Sequence, residues 1–232
     1  MRRRDLTLQL AFAPWLGSVP TESHAGLLTQ GDAASALRLT LERGASLAVD
    51  LLGRVDGFLG NPKVRIPLPG HLNDIAKWMA TFGQQKRVDE LVTAMNRAAE
   101  AAVPKARGLL ISAVKGVSVQ DAQQIITGGE NSVTTFFAEK TRTPLGQEFL
   151  PVVTQATEKV SLAAKYNRVA SKASSLGMLD ARQANIQEYV TDKTLDGLYL
   201  MIGEEERKIR RDPAATGVAL LKKVFGAVKS PN

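Results

Sequence analysis

The sequence predicts an all-α protein: a single compact multi-helix bundle with one short extended Pro/Gly-rich segment. Aromatic residues make up only 5% of the chain and Ala and Leu are abundant, which favours helix packing over a β-sandwich. The apolar residues, 44% of the total, recur at three- and four-residue spacing over most of the length. No stretch alternates persuasively in strand fashion, and only Lys63–Leu68 reads as extended. There is no internal repeat and no low-complexity tract. A length of 232 residues suits one domain, or one domain plus a processed segment, built from seven to nine helices.

Residues 1–25 differ from the rest. Arg2, Arg3 and Arg4 precede the apolar run Leu6–Leu16, and Ser23-His-Ala25 forms a small-x-small site before Gly26. That order matches a secretory signal peptide, and the run is too short to span a bilayer. Arg3-Arg4-Asp5-Leu6 also resembles a twin-arginine export signal, with Thr7 departing from the pattern. The expectation is an export signal over 1–25, a helical domain over 26–232 and a periplasmic location. A cytoplasmic protein with a disordered or amphipathic tail is the alternative. Cleavage after Ala25 would leave His71 as the sole histidine.

In Asp32–Phe58, Leu37, Leu41, Gly44, Ala48, Leu51, Val55 and Phe58 form one stripe of a long helix. Gly44 on that stripe invites close approach of a neighbour or, alternatively, a kink. Gly57, Gly60, Pro62, Pro67 and Pro69 then force the backbone to turn and extend. Phe58, Leu59, Val64, Ile66 and Leu68 make this stretch too apolar for an idle linker. A short helix through Leu72–Phe82 stops at Gly83. Val88, Leu91, Val92, Met95, Ala99, Ala102, Ala106 and Leu109 form a stripe with small residues at its centre, kinked or divided at Pro104. Ser118 and Asp121 suit a helix start and Gly128-Gly129 a stop. One helix begins at Val133, Phe136 and Phe137, and another carries Leu145 through Asn167. Two segments follow, through Tyr189-Val190 and through Leu195–Ile209. Asp212-Pro213 opens a last helix carrying Val218, Leu221, Val224 and Phe225.

The run from Val55 to Pro69 resembles the hallmark of the bacterial family called domain of unknown function 4197. Met95-Asn-Arg-Ala-Ala-Glu100, Asp121 with Gly128-Gly129, and Thr134-Thr-Phe-Phe137 fit the same resemblance. So do Tyr189-Val-Thr191, Leu195-Asp-Gly-Leu198, Glu205-Glu206 with Ile209-Arg210, and Lys222-Lys-Val-Phe-Gly226. The resemblance implies a helical protein that commonly carries an export signal. It brings no assigned reaction, cofactor or catalytic residue.

The residues themselves exclude several chemistries. With no cysteine, disulfides, thiolate metal sites and a cysteine nucleophile are impossible. Carboxylates such as Asp50, Asp56 or Glu204–Glu206 could offer oxygens to calcium, but no EF-hand spacing occurs and no metal is expected. There is no Gly-x-Ser-x-Gly elbow, phosphate loop or dinucleotide fingerprint, so no cofactor is expected. The net charge of +7 is spread among acids along helices, as in Glu204–Arg211, and reads as a solvated surface; nucleic acid is not an expected partner.

One constellation stands out. Beyond Leu195, Leu198 and Ile202, the inward helical positions fall at Glu205 or Glu206, and a carboxylate there needs a partner. Arg65, Arg97 and Arg210 are candidates, and Asn96 borders the same region. These six residues predict either a structural ion pair pinning the Pro-rich loop, with Asn96 satisfying its backbone, or the polar end of a ligand cleft. Tyr166, Tyr189 and Tyr199 read as core-edge residues. The expectation is an exported, non-catalytic protein that binds a hydrophobic or anionic envelope ligand, such as a lipid, or a protein partner. A carboxylate-dependent enzyme and an oligomeric scaffold are the alternatives.

Overall fold

The computed structural model describes residues 30–70, 81–177 and 184–212. Among them are seven α-helices and one 3-10 turn, with no strand. The helices are α1 (Gln30–Gly53), α2 (Gln85–Ala102), α3 (Ala106–Lys115), α4 (Val119–Thr127), α5 (Ser132–Thr157), α6 (Ser161–Ser175) and α7 (Ile186–Arg211). The export-like leader, the helix expected around Leu72, His71 and the helix expected after Pro213 lie outside the described residues.

The core is organised around α5. Its buried side chains are Val133, Phe137, Thr141, Leu145, Phe149, Val153 and Thr157, an unbroken series in steps of four. Each step of four advances about 40° beyond a full turn, so the buried stripe winds around the helix instead of running along one side. That winding lets α5 face α7, α2, α3 and α4 in turn. Pro144 and Pro151 lie inside this helix, where two separate helices were expected. The carbonyls that lose their donors belong to Lys140 and Gln147, both exposed, so water can serve them. The expected helix through Leu145–Asn167 instead breaks after Thr157, with no proline or glycine to mark the corner. Buried amides secure it: Gln187 Nε2 donates to Thr157 Oγ1 at 3.1 Å and Asn167 Nδ2 to Gln187 Oε1 at 2.7 Å. Asn167 Oδ1 accepts from Ile186 N at 2.9 Å, tying the corner to the start of α7. The two segments expected around Tyr189 and Leu198 are one helix, α7.

Several local expectations match the structure. Ser118 and Asp121 form a reciprocal capping box at the start of α4, and the hydrogen bonds from Ser118 lower the Asp121 carboxyl below its ordinary range. Pro104 divides α2 from α3 through the 3-10 turn Val103–Lys105. The first helix, however, stops at Gly53, and Val55 is 74% exposed instead of joining the stripe. Asp56 takes a left-handed φ of 64°, and a Cβ on Gly57 would stand 2.4 Å from Leu52 O, so the chain folds back on the helix end.

That reversal delivers Phe58, fully buried, to Gly197 on α7. A Cβ on Gly197 would sit 2.8 Å from Phe58 Cε1 and 3.3 Å from Val64 Cβ, so the absent side chain is the seat for the loop. Gly44 is different: a Cβ there would meet Glu205 Cβ at 3.9 Å and Ile209 Cδ1 at 4.0 Å, ordinary contact distances. Gly197→Ala is therefore expected to destabilise by about 1–3 kcal/mol through overpacking. Gly44→Ala is expected to stabilise by up to about 1 kcal/mol through helix propensity. Chemical denaturation of the two variants in parallel checks the pair, and equal effects would refute the difference in packing.

Candidate functional site

The six residues singled out in the sequence do not meet at one place. The structure distributes most of them between two polar latches, one holding the Pro/Gly-rich loop and one joining three helix ends.

The loop latch is built on α2. Lys63 and Val64 lie in a turn and residues 65–69 belong to no helix or strand, so Ile66, itself buried, would leave its backbone groups bare. Asn96, fully buried one turn after Val92, supplies what a strand would. Its Oδ1 accepts from Ile66 N at 2.8 Å, and its Nδ2 donates to Ile66 O at 2.9 Å and to Val92 O at 2.8 Å. One turn further, Glu100 Oε1 accepts from Phe58 N and Leu59 N, both at 3.0 Å. Arg97 closes the group, donating to Glu100 Oε2 at 2.6 Å and to Asp56 Oδ1 at 2.8 Å. The hydrogen bonds to Glu100 and then Asp56 raise the Arg97 pKa further, so the guanidinium stays charged. Tyr189 on α7 adds a hydrogen bond from its hydroxyl to Pro67 O at 3.1 Å.

The second latch is centred on Glu206, whose side chain is 2% exposed. It reaches the start of α5, where the first amides of a helix have no partner of their own. Oε1 accepts from Val133 N at 3.1 Å, and Oε2 accepts from Thr134 N and Thr134 Oγ1, each at 3.2 Å. Arg210, four residues on, donates from Nε to Glu206 Oε1 at 3.0 Å. Its Nη2 donates to Ile125 O at 2.8 Å, in the last turn of α4, and to Ser132 Oγ at 2.6 Å. Each charge of the pair thus lies at the helix end of opposite polarity: carboxylate at the N-terminus of α5, guanidinium at the C-terminus of α4.

The remaining candidates lie apart from both. Glu205 faces Gly44 of α1 across the cleft and pairs with Lys208 at 2.6 Å. Arg65 is exposed and joins neither latch; the loop residue that reaches α7 by charge is Lys63, 2.6 Å from Glu204, and this bond lowers the Glu204 carboxyl below its ordinary range. Burial pushes the Tyr166 hydroxyl up to about 12 and raises Tyr189 and Tyr199, keeping all three protonated. Glu100, Asp56, Ser132 and Thr134 were not among the candidates. The signal for Glu100 was available, because it falls one helical turn beyond Asn96 on an Ala-rich, inward-facing stripe.

The two latches thus draw on the loop, α2, the end of α4, the start of α5 and α7. A family model described as Protein of unknown function (DUF4197) matches residues 27–226, spanning both latches. The chain belongs to that family. No curated protein and no solved structure matches. The DUF4197 loop, from Val55 to Pro69, is thus seated on the core by Phe58, Val64, Ile66 and Leu68, which are buried.

Beside the Glu206 latch lies an apolar cleft between α1, α5 and α7, lined by Leu37, Thr40, Gly44, Phe137 and Ile202. Its volume is about 20 Å³, room for about one water. An open polar groove of about 690 Å³ runs between α4 and the start of α5, past Gln124, Asn131, Thr135, Glu139 and Lys140. Among the described residues, no group of three or more His, Asp or Glu could hold a metal ion. No described helix is long and apolar enough to cross a membrane.

Proposed function

We propose that this DUF4197 protein is an exported, periplasmic, non-catalytic helical module that engages an envelope lipid or a protein partner at its surface. One observation carries the reading: the buried carboxylates Glu100 and Glu206 are committed on both oxygens to backbone amides and to Arg97 and Arg210. An acid or base catalyst needs a carboxyl that can exchange a proton with substrate, and here that exchange would dismantle the fold. The water-sized apolar cleft favours a partner on the surface over a small hydrophobic ligand enclosed within. Export is supported by the basic and apolar order of residues 1–25, and the family match begins just beyond them.

An oligomeric scaffold is the second reading, favoured by Leu39 and Leu47, exposed two turns apart on α1. Native mass spectrometry of full-length protein expressed in bacteria and recovered from the cell envelope separates the readings. The expected result is a chain beginning at Gly26 that carries bound lipid or protein. Multiples of the bare chain mass would favour the scaffold, and an uncleaved cytoplasmic chain would overturn export.

A further inference from the structure

Helix α6 carries only positive charge: Lys165, Arg168 and Lys172 with no acidic residue, while Glu158 and Lys159 precede it. Elsewhere Lys63, Arg97, Arg107, Arg142, Lys193 and Lys208 pair with carboxylates, while Arg65, Lys105, Lys115 and Lys140 are exposed in no ion pair among the described residues. Lys159, Lys165 and Arg168 are exposed and have no ion-pair partner among the described residues.

The helix is also strongly two-sided. Ala163, Tyr166 and Ala170 are buried against the body of the protein, where α6 packs on α2 and α7. The opposite face carries Ser161, Ala164, Lys165, Arg168 and Ser171, all exposed. Small residues between the cations let a flat surface approach the backbone closely. Just past the last turn, Leu176 is 74% exposed, an apolar side chain at the end of the cationic face.

We propose that the outer face of α6, with Leu176 as its apolar tip, docks on an anionic lipid bilayer surface. Clustered Lys and Arg on an amphipathic helix are attracted to anionic headgroups, and an adjacent leucine can enter the acyl boundary. Nucleic acid is a poorer fit, because the one aromatic residue of α6, Tyr166, is buried and offers no stacking surface for bases. The inference deepens the surface-partner reading and rests on it.

The test is flotation of the full chain with phosphatidylcholine vesicles containing phosphatidylglycerol at three parts in ten, against vesicles of phosphatidylcholine alone. Each basic residue near an anionic surface strengthens partitioning about fivefold, so Lys165→Gln with Arg168→Gln is expected to weaken it on the order of 25-fold. Binding is also expected to fall as salt shortens the screening length. Leu176→Ser should weaken binding that survives at high salt. Both variants retain residues 1–25, so any lipid affinity of that stretch cancels, and unchanged melting temperatures establish that the fold is intact. Equal binding to both vesicle types, undiminished binding by the double variant, or preferential capture of duplex DNA would overturn the proposal. Failure here with a protein partner present in the envelope preparation would leave the surface-module reading standing. Failure of both would remove it.

Discussion

Replacing Glu206 by glutamine is expected to destabilise the protein by about 3–5 kcal/mol and lower its melting temperature by roughly 6–20 °C for a chain of this size. The substitution leaves the shape almost unchanged, so the loss isolates the charge. Arg210, only 16% exposed, would lose the carboxylate of Glu206 that it now pairs with. The glutamine amide would turn a donor towards the amides of Val133 or Thr134, or towards Arg210, all of which are donors themselves. At least one of these must then go without an acceptor, a cost of about 1–3 kcal/mol on its own. Glu205→Gln is the matched control. Its partner Lys208 is exposed, and the loss of such a pair is worth about 0–1 kcal/mol. Thermal unfolding of the two variants side by side checks the assignment. A small shift for Glu206→Gln would mean that the carboxylate is solvated in solution and the junction is held by apolar packing alone.

The second large effect is expected at Asn96. Asn96→Asp keeps an acceptor for Ile66 N but places a carboxylate against the carbonyls of Ile66 and Val92, where the amide now donates to both. A charge buried without a partner costs several kcal/mol. The sign with pH follows from the environment. Burial and the facing carbonyls raise the folded-state pKa of such an aspartate above its unfolded value. The penalty is then fully present at pH values above the folded pKa and disappears as pH falls below the unfolded one, since a protonated carboxyl can donate once. The variant should therefore gain stability relative to the parent between about pH 7 and pH 4. Asn96→Ala should be destabilised by about 2–4 kcal/mol with no such pH dependence, from two unpaired backbone groups. Hydrogen exchange at the Ile66 amide should accelerate in the alanine variant. Unchanged protection there would show that Asn96 does not anchor the loop.

These two residues also mark where the sequence was legible and where it was not. Helical periodicity past Ile202 placed an inward carboxylate at Glu205 or Glu206 and offered Arg210, one turn later, as one of three partners, and the structure selects Glu206 with Arg210. Periodicity is a property of a single helix, and both residues belong to α7. What Glu206 caps was not legible, because Val133 and Thr134 lie more than 70 positions away and their unpaired amides follow from where α5 begins. Asn96 was visible as a polar residue beside an Ala-rich stripe, whereas its mimicry of a strand partner depends on the loop lying across α2. Arg65 shows the reverse error. Its charge made it a plausible partner for Glu206, but alternation along the extended run points Val64, Ile66 and Leu68 inward and leaves Arg65 outside. The corner after Thr157 had no signal in composition, since it rests on Gln187 and Asn167 reaching it from elsewhere.

By itself the sequence determined the helical class, the capping box at Ser118, the break at Pro104 and the chemistries excluded by the absence of cysteine. These depend on backbone propensity, on hydrogen bonds within a few residues, or on atoms the chain does not possess. The tertiary structure alone decided that α5 continues through two prolines, that Gly197 seats Phe58, and that Glu100 and Glu206 serve backbone amides on other elements. Each of those outcomes joins groups distant in sequence, and the cost of a missing hydrogen bond or a filled seat exists only once packing has removed the water that would otherwise have relieved it.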